Sequence, residues 1–152
     1  EGGASGLEQI EFQVAGHAGS TPRSLAKVAS GGELARISLA ISVITSKASF
    51  TPTLIFDEVD AGIGGAVAET VGKLLRQLGE SHQIICVTHL PQVAAQGNHH
   101  LKVSKSQAGN TTLSQVSTLG RNERVEEIAR MLGGATITDT TRRHARELLE
   151  QN

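Results

Sequence analysis

A chain of 152 residues suits one domain or one lobe of a larger one, and three Phe with no Trp or Tyr demand an aliphatic core. The same scarcity counts against a base-stacking nucleic-acid surface, and a formal net charge of -1 advertises no polyanion partner. No apolar run approaches the ~20 residues that span a bilayer, and the N-terminus lacks the basic-then-apolar pattern of a signal peptide, so a soluble, cytoplasmic protein with no membrane partner is expected.

Residues 7–14 alternate Leu7, Ile10, Phe12 and Val14 with polar residues, which predicts a strand. Residues 15–29, with Gly16, Gly19 and Pro22, form a loop. From Glu33 the period becomes helical through Leu34, Ile37, Leu39, Ile41 and Ile44, giving a helix over residues 33–48. Pro52 breaks the chain, and the continuous apolar run Thr53-Leu54-Ile55-Phe56 predicts a fully buried parallel strand. A Gly62, Gly64, Gly65 loop leads into a helix over residues 66–78. A second buried strand follows over residues 83–87 and ends at Thr88-His89; this βαβ order implies a parallel pair. Cys86 lies within that strand, cannot form an internal disulfide and reads as a buried structural thiol. A short helix is expected over residues 93–96 after Pro91. Residues 101–104 and 112–116 read as a hairpin turning at Ala108-Gly109-Asn110. Residues 121–132 form an amphipathic helix stopped by Gly133-Gly134, and Thr138 or Asp139 caps a last helix to residue 149.

Chemistry concentrates at three places. The run ending in Asp57-Glu58 puts two carboxylates at the carboxyl edge of a parallel strand, where α/β folds bind ligands. Asp57 there suits Mg²⁺ and Glu58 suits the activation of a water; the plainer reading is two acids that face solvent or cap a turn. Ser30-Gly31-Gly32-Glu33 opens a helix whose N-terminal N–H groups form an anion site, or is an ordinary N-cap with flexible glycines. His89 ends the strand expected beside Glu58, and Asp60 lies in the intervening loop; alone, each is more often structural. The pair His99-His100 fits no standard zinc spacing. Arg121, Arg124, Arg130, Arg142, Arg143 and Arg146 interleave with Glu123, Glu126, Glu127 and Glu147, which favours ion-paired helix faces over direct DNA contact.

Order and spacing add what no single motif carries. Ser30-Gly31-Gly32-Glu33 resembles the ABC ATPase signature, Leu54-Ile55-Phe56-Asp57-Glu58 resembles Walker B, Asp60 resembles the D-loop aspartate and His89 resembles the switch histidine. Glu33, where transporters usually carry Gln, points to the SMC/Rad50/RecN branch. Three stretches are similar to the RecN family of bacterial DNA-repair proteins. They are Lys27-Val28-Ala29-Ser30-Gly31-Gly32-Glu33-Leu34, Phe56-Asp57-Glu58-Val59-Asp60-Ala61-Gly62-Ile63-Gly64-Gly65 and Val87-Thr88-His89-Leu90-Pro91-Gln92-Val93-Ala94.

The resemblance implies an α/β fold: a partial ABC ATPase head, its mostly parallel sheet flanked by helices and followed by an antiparallel hairpin and two helices. It implies ATP and Mg²⁺ as cofactors, with Glu58 and His89 catalytic and Asp57 on the metal, usually through water. Ser30, Gly31, Gly32 and Glu33 would meet the γ-phosphate held by a second head, and Asp60 would bridge the two sites. DNA would be engaged by the wider, nucleoid-associated protein in double-strand-break repair. No Gly-x-x-x-x-Gly-Lys-Ser/Thr phosphate loop occurs in the chain. In RecN-like proteins that loop precedes a long coiled coil, so residues 1–152 are expected to be the C-terminal lobe of a head whose Walker A lobe is a partner. Such a lobe would leave residues 83–87 without an interior neighbour, and the hairpin or a second copy would be expected to pair there. The alternatives are a transporter's nucleotide-binding domain, which Glu33 argues against, and a non-catalytic dimerisation or DNA-binding module, which Glu58 and His89 argue against.

Overall fold

The computed structural model describes residues 6–7, 10–15, 18–27, 31–45, 51–109, 111–134 and 136–151. Ser30 and residues 46–48, the expected end of the first helix, lie outside the described residues. The N-terminal strand is shorter than its alternation predicts. Among the described residues of that stretch, β1 (Gln13–Val14) pairs antiparallel with β2 (Arg23–Ser24), while Leu7, Ile10 and Phe12 are exposed. Alternation supplies a face, but these residues have no second layer to bury it against.

Helix α1 (Gly31–Thr45) begins at the paired glycines, with Glu33 in its first turn, where a carboxylate suits the helix dipole. Strand β3 (Thr53–Phe56), helix α2 (Gly65–Leu78) and strand β4 (Gln83–Cys86) follow as a βαβ unit, and β3 and β4 are parallel. The register pairs Leu54 with Ile84 and Phe56 with Cys86, so these four side chains share one face. That face meets Leu39 of α1 and Val71, Leu75 and Leu78 of α2 in the first core. Each large side chain buried there contributes about 1.5–3 kcal/mol. The opposite face, Ile55 beside Ile85, is 70% and 43% exposed, although parallel sheets are normally covered on both faces.

Helix α3 (Pro91–Ala95) starts with the expected proline and packs closely on α2. A Cβ on Gly72 of α2 would stand 2.8 Å from Gln96 Cγ and 3.1 Å from Gln92 O, so this crossing requires a glycine. Strands β5 (Leu101–Ala108) and β6 (Thr111–Thr118) form a hairpin through Gly109, with both strands longer than the apolar pattern over residues 101–104 and 112–116 predicts. Helices α4 (Arg121–Gly133) and α5 (Asp139–Glu150) pack on one another and on α3 through a second core of Ala95, Ile128, Ala129 and Ala145. Thr138 is the cap of α5: its Oγ1 accepts the Thr141 N–H at 3.2 Å.

Among the described residues the parallel sheet is this one pair, and the hairpin does not pair with β4. The shift expected from a free β4 edge is absent because the hairpin is tied elsewhere. Lys102 of β5 bonds the buried Glu127 of α4.

Candidate functional site at the ends of the parallel strands

The ladder extends one residue past β4, with Val87 N–H donating to Phe56 O at 2.9 Å, so Asp57 and Thr88 leave the sheet side by side. Asp57 is exposed and its Oδ1 accepts the Glu58 N–H at 2.9 Å, which fixes that carboxylate at the strand end. Glu58 has φ 59, the left-handed region that costs a non-glycine residue roughly 1–3 kcal/mol. This turn aims its carboxylate at the start of α1, where a Cβ on Gly31 would lie 2.7 Å from Glu58 Oε2. The next glycine is more firmly constrained, because what it meets at Ala61 is not a movable side-chain tip: a Cβ on the buried Gly32 would meet Ala61 O at 3.0 Å and Ala61 Cβ at 3.1 Å. The Gly-Gly pair therefore lets α1 approach the loop that follows β3.

Asp60 is 2% exposed. Its Oδ2 accepts from Thr88 Oγ1 and from the His89 N–H at 3.0 Å, and stands 3.3 Å from His89 Nδ1. Thr88 Oγ1 in turn accepts the Leu90 N–H at 3.0 Å. A carboxylate so enclosed holds the β4 end of its own chain. The His89 side chain, by contrast, is 71% exposed, so one ring nitrogen is oriented by Asp60 while the ring projects from the site. Burial, reinforced by Asp60 and Asp57, pushes the neighbouring Cys86 thiol up to about 12, in keeping with a structural thiol.

The structure thus brings Glu58 to Gly31 and His89 to Asp60, with Asp57 beside them and Glu33 in the first turn of α1. Two participants escape motif reading. Thr88 is one; its signal is a hydroxyl residue preceding the strand-end histidine. Arg36 is the other: its Nη1 donates to Ala61 O at 2.9 Å and reaches Val59 O at 3.5 Å.

No group of three or more His, Cys, Asp or Glu that could hold a metal occurs among the described residues. Burial, followed by the nearby Arg124 guanidinium, holds the His100 imidazole below its ordinary value. The arginines follow the ion-pair reading. Arg130 bonds Glu127, Arg142 bonds Glu126 and Asp139, and Arg143 stands 4.0 Å from Glu147. Arg124 donates to Asn98 O and Gly97 O beyond the C-terminus of α3.

No family model matches the chain. It is 52% identical over 97% of its length to the DNA repair protein RecN of Haemophilus influenzae, 53% over 95% to that of Vibrio cholerae, and 42% over 96% to that of Bacillus subtilis. The chain spans about a quarter of these relatives, 25–26% of their length. A crystal structure of the Smc head domain with coiled coil and joint from Pyrococcus yayanosii superposes with a TM-score of 0.59 at 25% identity, covering 73% of this chain and 20% of that one. A second solved structure, from work on ATP-driven dimerization and DNA-stimulated activation of SMC ATPases, gives a TM-score of 0.55 at 24% identity over 78% of this chain and 71% of that one. Fold and motif order together define a partial head of the SMC-like ABC ATPase class. Within that class, the sequence is that of a RecN-family segment.

Proposed function

We propose that this chain is the signature-bearing, C-terminal lobe of an ATP-binding and ATP-hydrolysing head, and that the intact RecN-like protein acts in DNA double-strand-break repair and recombination. The observation that carries this reading is the convergence of Asp57, Glu58 and the Asp60–His89 pair at the carboxyl ends of two adjacent parallel strands, with the Gly31-Gly32 helix start against Glu58. Glu58 serves as the base that takes a proton from the attacking water, and His89 presents its exposed ring to the γ-phosphate. Asp57 would hold Mg²⁺, usually through water. One exposed carboxylate fits an ion that keeps most of its water and takes further oxygens from phosphates. That ion would neutralise phosphate charge as the bond to the leaving group breaks.

Ser30, Gly31, Gly32 and Glu33 would face the nucleotide held by a second head, so ATP would draw two heads together. The other partners are a Walker A lobe, which supplies the phosphate loop missing from this sequence, and DNA bound by the intact protein. Cytoplasmic, nucleoid-associated work follows from that role. Within its own head Asp60 ties the β3 loop to His89, and across the head interface it would bridge the two nucleotide sites.

The test uses the intact protein carrying Glu58→Gln. Gln keeps the shape but cannot accept the proton, so turnover should fall by about 100-fold or more while ATP binding and head dimerisation persist. Near-normal turnover in that variant excludes Glu58 as the base and removes the ground for the proposal.

A further inference from the structure

Arg36 belongs to none of the recognised motifs, yet its side chain spans the two surfaces that the proposed ATPase uses. It is half-buried on α1, and its guanidinium donates to the carbonyl of Ala61 at 2.9 Å and approaches that of Val59 at 3.5 Å. Those two carbonyls flank Asp60, whose carboxylate accepts from Thr88 and the His89 N–H on the far side of the loop. The loop is therefore gripped from α1 through its backbone and from β4 through its side chain. The grip is tight at the helix start, because a Cβ on Gly32 would stand 3.0 Å from Ala61 O and 3.1 Å from Ala61 Cβ.

We propose that Arg36 is a positioning residue that couples the Gly31-Gly32 end of α1 to the loop of residues 58–61 and, through Asp60, to His89. The inference rests on the ATPase reading and deepens it. The α1 start would serve the opposite head's nucleotide, whereas Glu58 and His89 would serve the nucleotide of their own head. Arg36 is the group that makes these two surfaces one rigid unit. A movement of α1 toward a phosphate carries the 59 and 61 carbonyls with it, and the setting of Glu58 and His89 follows. A guanidinium suits this task because one planar group presents several donors in fixed directions, while a lysine ammonium is a single flexible point.

The experiment compares the intact wild-type protein with Glu58→Gln, Arg36→Ala and Arg36→Lys. Arg36→Ala should lower kcat about ten- to a hundredfold, the effect of losing charge-assisted bonds that set a catalytic geometry. Its ATP affinity, titrated in the Glu58→Gln background, should stay within about twofold of wild type, because Arg36 touches no nucleotide. Arg36→Lys should give an intermediate kcat at unchanged affinity. A Glu58-dependent turnover that Arg36→Ala leaves within about twofold of wild type overturns this inference alone. An equal loss of kcat and ATP affinity, with no recovery by Lys, overturns it too, since that pattern marks a general fold defect. Wild-type turnover that survives Glu58→Gln overturns the ATPase reading and this inference together. Should Arg36→Ala fail to fold by thermal melting, Arg36→Lys decides: reduced kcat at unchanged affinity supports the coupling, and wild-type kcat overturns it.

Discussion

At the first core, the carboxylates beyond β3 are held by backbone and hydroxyl donors: Asp57 by the Glu58 N–H, Asp60 by the His89 N–H and Thr88. At the second, the buried Glu127 is held by opposite charges, Lys102 of β5 and Arg130 of its own helix. Neutral donors fix a carboxylate in place without cancelling its charge, so Asp57 and Glu58 remain chemically available at an exposed strand end. Two cations cancel the charge of Glu127 and leave it a fastener between hairpin and helix. The same residue type thus keeps its charge at an exposed strand end in one region and has it cancelled in the other, and the partners decide which.

The largest effect expected from this contrast is on chemistry. Placed side by side in the intact protein, Glu58→Gln should remove turnover with little change in melting temperature, and Glu127→Gln should do the reverse. The Glu127 variant should cost roughly 1.5–3 kcal/mol, the range for hydrogen bonds to charged groups, with kcat nearly unchanged. Melting curves and steady-state rates on both variants check the pair; a rate loss in Glu127→Gln comparable to that in Glu58→Gln would erase the distinction between the regions.

A smaller, pH-dependent effect belongs to Glu127 alone. Bonding from Arg130 outweighs burial and holds its carboxyl down, from an ordinary 4.5 to about 2. A carboxylate with a depressed folded-state value contributes stability that is fully present above its unfolded value and is lost as pH falls through the folded one. The hairpin–α4 junction should therefore weaken between about pH 4.5 and about pH 2. Urea unfolding across that range should show a steeper acid loss in wild type than in Glu127→Gln, which has no proton to gain there. Parallel profiles would mean that other carboxylates carry the acid sensitivity.

How much of this was legible beforehand depends on what sets each feature. The positions of β3, α2 and β4 were readable because an apolar run bounded by Pro52 and an acidic pair is followed by a helical period, but the full burial expected of the strands is not met, since Ile55 and Ile85 stand on an exposed face. The placement of Asp57, Glu58 and His89 at one edge was readable from motif order, since both parallel strands deliver their carboxyl ends there. The inward turn of Asp60 was not, because a loop acid gives no sign of which donors will enclose it. Arg36 was hidden for a similar reason: its acceptors are backbone carbonyls 23 and 25 positions along the chain, and any residue could supply them. The hairpin extends past its predicted ends through Lys105, Ser106 and Gln107, polar residues that cross-strand backbone pairing orders without any apolar alternation. Strand β1 errs in the other direction, as alternation alone could not show that Leu7 and Ile10 lack a layer to pack on.

The smallest effect separates the scaffold from the site most cleanly. Thr138 and Thr141 cap α5 reciprocally: Thr138 Oγ1 accepts the Thr141 N–H at 3.2 Å, and Thr141 Oγ1 accepts the Thr138 N–H at 2.8 Å. Thr138→Ala removes the first bond and leaves a helix N-terminal donor to water, at a cost of about 1 kcal/mol. For a chain of this size that is a fall of about 2–4 °C in melting temperature. Thr138→Ser retains the oxygen and should recover most of it. Helix α5 packs in the second core through Ala145, whereas the β3 and β4 ends belong to the first, so ATP turnover by the intact protein should be unaffected in both variants. A turnover defect in Thr138→Ala that Ser repairs would show that the α4–α5 layer feeds into the site, and the division between a reactive and a structural region would have to be redrawn.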